Sequence, residues 1–119
     1  GASRYFKQGW VTYSNESKIS ELDMPAELIE RYGAVSFEVA EAMAKQARKI
    51  SGTDYAIAIT GIAGPTGATE QKPLGLVYIS VDSSGGSETR RFVFPNNREL
   101  IRFRSAQTAL NMLRLKMRV

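Results

Sequence analysis

Apolar residues recur in two different rhythms along this chain. Val39, Ala40, Met43, Ala44, Ala47 and Ile50 return every three or four positions, the spacing of one helix face, between Ser36 as a plausible N-cap and Gly52 as a stop. Glu38 in the first turn suits the helix macrodipole. Tyr55-Ala56-Ile57-Ala58-Ile59 is instead a short, partly β-branched run, which predicts a buried strand ending at Thr60. Leu76 to Val81 reads as a second such strand. From Glu88 to Phe94, Thr89, Arg91 and Val93 alternate with Arg90, Phe92 and Phe94, and Asp82 to Ser87 reads as the hairpin turn leading in. Upstream, Gly9 to Ser14 is rich in β-formers, and Asn15-Glu16-Ser17 breaks it and opens a helical turn through Leu22. Pro25 at a first helical position starts a short helix to about Tyr32, stopped by Gly33. Asn96 or Asn97 caps a final helix whose apolar positions are Leu100, Ile101, Phe103, Ala106, Leu110 and Leu113.

The predicted order is therefore one strand, three helical pieces, three strands and a helix. That is an α/β layered domain with a mixed sheet, because helix separates the first two strands while a tight turn joins the last two. A chain that opens GASRYFKQG has few N-terminal residues with which to cover both sheet faces. Either the fold has two layers, or upstream material or a partner covers the rest.

Composition narrows the chemistry. The 119 residues, 43% of them hydrophobic, make one domain with a core that needs no staples, and no internal repeat or linker divides it. No apolar run approaches the ~20 residues that span a bilayer, which predicts a soluble protein. With neither cysteine nor histidine, Ser-His triads, Cys-His pairs and thiolate zinc sites are excluded, and acid-base work falls to Lys, Asp, Glu or Tyr. Absence of cysteine also fits a cytoplasmic setting. The net charge of +4 suits anionic ligands but is too mild to imply nucleic acid.

Two stretches invite a functional reading. Thr60 to Gly75, TGIAGPTGATEQKPLG, crowds glycine and proline between two apolar strands. Such a stiff loop at a strand's carboxyl end presents backbone amides as a concave nest, for which a phosphate is the natural ligand. It equally reads as a long connection whose glycines serve only tight turns. No GxGxxG or GxxxxGK[ST] pattern is present. The second stretch, Tyr13-Ser14-Asn15-Glu16-Ser17-Lys18, gathers hydroxyls, an amide, a carboxylate and an amine where the first strand turns into helix. A desolvated Lys18 amine would act as a general base for a hydroxyl nucleophile, with Tyr13 orienting it. The plainer reading is a helix cap followed by a solvated lysine.

Together, GWVTYSNESK, RYGAVSFEVAEAMA and DYAIAITGIAGPTGATEQKPLGLVYISV resemble the C-terminal domain of the CinA family, whose members are nicotinamide-nucleotide amidohydrolases, or NMN deamidases. The resemblance runs from Gly1 to about Leu113, so residues 1–119 read as one such domain. It implies hydrolysis of the carboxamide of nicotinamide mononucleotide to nicotinic acid mononucleotide and ammonia by a Ser/Lys mechanism, with no metal or cofactor. By the same resemblance Lys18 is the dyad lysine, Tyr13 the assisting tyrosine and Thr60 the small hydroxyl residue at the active-site strand end. Gly61, Ala63, Gly64 and Gly67, together with Asn15, would contact the substrate. Arg98 stands where the family has a Gly-Asp-Arg turn and is a further candidate for phosphate or ribose.

The family's nucleophilic serine lies in a Glu-Ser-Cys-Thr-Gly-Gly motif on an upstream strand-helix unit, and nothing in this sequence matches it. The expectation is a family domain without its leading segment, with the nucleophile supplied from upstream. The alternative is a non-catalytic module that binds a mononucleotide or a partner protein. Nucleic-acid binding by the basic last helix is not expected, since Arg98, Arg102, Arg104, Arg114, Lys116 and Arg118 spread around it without interleaved aromatics. Sheet edges and the apolar face of that helix suggest a homodimer.

Overall fold

The computed structural model describes residues 24–62, 72–94 and 98–117. Their elements are α1 (Ala26–Tyr32), α2 (Phe37–Ser51), β1 (Tyr55–Gly61), β2 (Leu76–Ser83), β3 (Gly86–Val93) and α3 (Arg98–Met117). The expected strand at 9–14 and the helical turn after it lie outside the described residues. Among these the sheet is three-stranded, in the order β1-β2-β3, with both pairs antiparallel. The α/β class is as the sequence predicts; the segment expected to make the sheet mixed lies outside the described residues.

β2 is the central strand, and Leu76, Val77, Ile79, Ser80, Val81 and Asp82 are all buried. Side chains alternate across a strand, so these residues divide between two faces. Val77, Ile79 and Val81 meet Ile101, Ala109 and Met112 of α3, with Tyr55, Ile57, Phe92 and Phe94 around them. Phe92 and Phe94 stack with ring centroids 5.5 Å apart. The opposite face receives α2, where Val39, Met43, Ala44 and Ala47 form a core with Met24, Ile29 and Ala58. Helices therefore cover both faces of the sheet even without residues 1–23, and the layering is α/β/α.

The α2 face of the sheet combines Leu76 and Tyr78 with small and polar side chains, and α2 meets it with an alanine-rich stripe. Its polar groups are satisfied in pairs. Thr89 donates from its hydroxyl to Ser80 Oγ at 2.8 Å, and Ser80 is fully buried. Asp82, 5% exposed, accepts from Arg48 Nε at 2.8 Å through Oδ2 and from Ser87 Oγ at 2.5 Å through Oδ1. This cluster ties the C-terminal end of α2 to the hairpin end of the sheet.

Local signals set most element ends. The Ser36 hydroxyl accepts from the Val39 amide at 3.2 Å as the N-cap of α2, and Gly52 closes that helix. Pro25 stands just before α1 rather than at its first position, and Gly33 ends that helix as expected. The hairpin is tighter than predicted: Ser83 pairs with Gly86, so only Ser84 and Gly85 turn.

The last helix departs most from expectation. Its buried residues are Ile101, Ser105, Ala109 and Met112. Of the apolar positions named from sequence, Ile101 is fully buried and Leu113 packs half-buried against the core, while Phe103 is 59% and Leu110 61% exposed. An apolar tally without a chosen face selects the wrong side when a serine faces the core. Ser105 is accommodated because its hydroxyl donates to the Ile101 carbonyl at 2.7 Å. Ile50 of α2 is likewise 48% exposed rather than in the core.

Two substitutions test this packing. Asp82→Ala strands the Arg48 guanidinium and the Ser87 hydroxyl, and should cost about 1–3 kcal/mol in urea denaturation. Gly75 has a φ of 90°, and a β-carbon there would collide with the Phe94 backbone. Gly75→Ala should cost about 2 kcal/mol or more, whereas Gly85→Ala, which meets only open space and one distant hydroxyl, should stay within about 0.5 kcal/mol.

Candidate functional site

One end of the sheet gathers the carboxyl end of β1, the start of β2 and the end of β3. The two ends of the glycine-rich connection meet here. Ile62 N donates to Leu76 O at 2.9 Å and Gly75 N donates to Ile62 O at 2.7 Å, so β1–β2 pairing continues beyond the strand ends. Phe94 N donates to Gly75 O at 2.9 Å, which joins β3 to the same base. The loop therefore springs from a hydrogen-bonded foundation.

The turn between α1 and α2 closes over this base. Thr60, 5% exposed, donates from Oγ1 to the Ala34 carbonyl at 2.7 Å. Lys72 Nζ donates to the Tyr32 carbonyl at 3.0 Å. Residues on either side of the connection thus hold the same short turn, and that turn leads into the N-terminus of α2 through Ser36. The Ser36 hydroxyl also donates to Gly33 O at 2.9 Å, so the turn is fixed from within as well.

This geometry limits what Thr60 does. Its proton is committed to Ala34, leaving only the oxygen's lone pairs to accept from a further donor. A cationic or neutral amine would satisfy it, whereas a nucleophile that must be deprotonated would not gain a base from it. Gly61 is required for close approach: a β-carbon there would come within 2.9 Å of both the Leu76 carbonyl oxygen and Val77 Cγ2. Packing of β1 on β2 alone accounts for that glycine.

Of the residues singled out from sequence, Thr60 and Gly61 therefore sit together at the sheet edge. Arg98 is the first residue of α3. Lys18, Tyr13, Asn15, Ala63, Gly64 and Gly67 lie outside the described residues. Sequence reasoning had not singled out Lys72 or Ser36 for the site. The Lys-Pro-Leu-Gly run after the loop was the available signal for Lys72, but its partner, 40 residues away, is a backbone carbonyl that no side-chain pattern reveals.

No helix among the described residues is long and apolar enough to cross a membrane. Residues 1–117 match the family of the CinA C-terminal domain. Among similar proteins, a CinA-like protein of Geotalea uraniireducens is 49% identical over 117 residues, 98% of this chain and 28% of that protein. A putative competence-damage inducible protein of Moorella thermoacetica is 51% identical over 113 residues, 95% of this chain and 27% of that protein. The crystal structure of a competence/damage inducible protein from Agrobacterium tumefaciens superposes with a TM-score of 0.82 at 36% identity, covering 86% of this chain and 63% of that one. The competence damage-inducible protein A of Klebsiella pneumoniae gives 0.84 at 32% identity, covering 89% and 66%. The chain thus spans little more than a quarter of the length of these curated relatives. The sequence match, running through both the glycine-rich connection and the strands that anchor it, shows that the chain belongs to the CinA C-terminal domain family.

Proposed function

We propose that this domain forms part of an amidohydrolase that acts on the carboxamide of nicotinamide mononucleotide. The observation that carries the reading is the buried Thr60 hydroxyl at the carboxyl end of β1, locked to Ala34 beside the base of the glycine-rich loop. With its proton engaged, Thr60 is suited to accept a hydrogen bond from the amine of Lys18 and so to hold that amine in place. A lysine held there with little water around it loses its charge readily and becomes a general base.

In this mechanism neutral Lys18 takes the proton of a serine hydroxyl, and the serine oxygen attacks the carboxamide carbon. The tetrahedral oxyanion is stabilised by loop amides. Lysine then returns the proton to the leaving nitrogen, ammonia departs, and water hydrolyses the acyl-enzyme to nicotinic acid mononucleotide and free serine. Tyr13 orients the amine. Ala63, Gly64 and Gly67 line the loop side, Asn15 adds a polar contact, and Arg98 at the start of α3 meets phosphate or ribose. The serine belongs to the Glu-Ser-Cys-Thr-Gly-Gly motif of the family, which residues 1–119 do not contain. The reaction is therefore a property of a protein in which that motif precedes this domain.

A second reading is favoured by the structural duties that Gly61 and Lys72 already meet without any ligand: the domain binds a mononucleotide without turning it over. Calorimetry and ammonia release separate the two. Affinity for the mononucleotide with no ammonia, in a protein that carries the serine motif, would leave only the binding reading.

In such a protein, Lys18→Ala should lower kcat for ammonia release at least ~10²-fold, and unchanged turnover removes Lys18 as the base. Thr60→Val, which keeps shape but loses the hydroxyl, should lower kcat about tenfold or more and cost about 1–3 kcal/mol by stranding the Ala34 carbonyl. Thr60→Ser should retain most of both, as read by steady-state kinetics and thermal unfolding.

A further inference from the structure

The turn that joins α1 to α2 offers consecutive main-chain carbonyls at Tyr32, Gly33 and Ala34, and each receives a proton from a different side chain. Lys72 Nζ donates to Tyr32 O at 3.0 Å, the Ser36 hydroxyl to Gly33 O at 2.9 Å and the Thr60 hydroxyl to Ala34 O at 2.7 Å. Ser36 belongs to the turn's own neighbourhood, so its bond sets only local shape. Thr60 and Lys72 reach the turn from the sheet, one from each side of the glycine-rich connection.

Lys72 starts from main chain that the sheet holds firmly. Pro73 follows it with a ring-restricted φ, and Leu76 N donates to Pro73 O at 3.1 Å, so residues 73–76 form a closed turn. Within that turn, Gly75 is bonded to both Ile62 and Phe94, at the ends of β1 and β3. The half-buried Lys72 side chain carries this placement outward, and its amine comes to lie over Gly33. A β-carbon at Gly33 would come within 2.5 Å of Lys72 Nζ. Glycine at position 33 thus leaves a seat for the ammonium as well as ending α1. The carbonyls that finish a helix carry partial negative charge, which favours a cation in that seat.

We propose that Lys72 is a positioning residue for Thr60. With both side chains in place the turn is held to the sheet at two points, Tyr32 and Ala34. The Ala34 carbonyl then fixes where the Thr60 proton points, and with it where the oxygen's lone pairs face. Without Lys72, Thr60 becomes the one side chain of these three that ties the turn to the sheet, and the turn gains freedom to rock about it. The catalytic consequence rests on the amidohydrolase reading above, whereas the mechanical coupling of Lys72 to Thr60 holds with or without turnover.

Two measurements test the assignment. In the 119-residue chain, the shift of the urea midpoint caused by Thr60→Val should be at least about halved in a Lys72→Met background, because the bond being removed is already loosened. Equal shifts in both backgrounds would show that the two residues act independently and would overturn the proposal. In a protein that carries the serine motif, Lys72→Met should lower kcat for ammonia release about fivefold or more, with KM changed less than about twofold. Lys72→Arg, which keeps the charge and the donors, should recover most of that loss. Lys49→Met removes a lysine charge from the exposed end of α2 and should leave both constants within about twofold. A raised KM at constant kcat would make Lys72 a substrate contact, and a lower thermal midpoint with unchanged kcat would make it a purely structural tie; either result overturns the proposal. If the parent protein releases no ammonia, the amidohydrolase reading falls, and the urea comparison still decides whether Lys72 positions Thr60.

Discussion

Burial of β2 from both sides is the constraint on which the rest depends. It pairs with β1 along one edge and β3 along the other, and six of its eight residues, divided between both faces, are buried. A strand so enclosed has its register specified twice, since a slip of one residue would drive Val77, Ile79 and Val81 into the α2 face and Ser80 and Asp82 into the apolar one. That would bury a carboxylate without its arginine and remove the largest apolar contacts of α3. The cost on both faces keeps Leu76 beside Ile62 and Phe94, and therefore holds the loop base together.

The two faces solve the burial problem differently. Toward α3 the sheet offers branched and aromatic side chains, which gain mainly by leaving water. Toward α2 it offers Leu76 with Ala58, Thr60, Ser80 and Asp82, and the helix answers with Val39, Met43 and alanines. Each buried polar group on that side has a specific partner, and among the described residues no buried side-chain nitrogen or oxygen lacks one. Thr60 belongs to this satisfied set while also standing at the edge proposed as functional. Its bond to Ala34 is thus both a structural closure and the reason its oxygen remains available to another donor.

Family membership gives this edge its meaning. The stretch most resistant to explanation by packing, from Thr60 to Gly75, is bounded by residues whose roles are now plain. Gly61 admits the Leu76 carbonyl, Gly75 passes beneath Phe94, and Lys72 holds the end of α1. These are reasons for glycine and lysine at the rim that need no ligand. The proposed chemistry rests on the acceptor capacity that the Thr60 oxygen keeps after its proton is engaged by Ala34.

The chain's own pattern determined much of this protein. The alanine-rich stripe of α2, its Ser36 cap, the three strands and the Gly33 and Gly52 stops were all readable, because each depends on neighbours within a turn or on a strand's alternation. The motifs around Thr60 also placed the family. Only the tertiary structure decided which face of α3 is buried, since Ser105 enters the core through a backbone bond while Phe103 and Leu110 stay outside. It alone also joined Thr60 to Ala34 and Lys72 to Tyr32. Those contacts end on main-chain carbonyls, which every residue carries alike, and so residue types along the chain hold no sign of them.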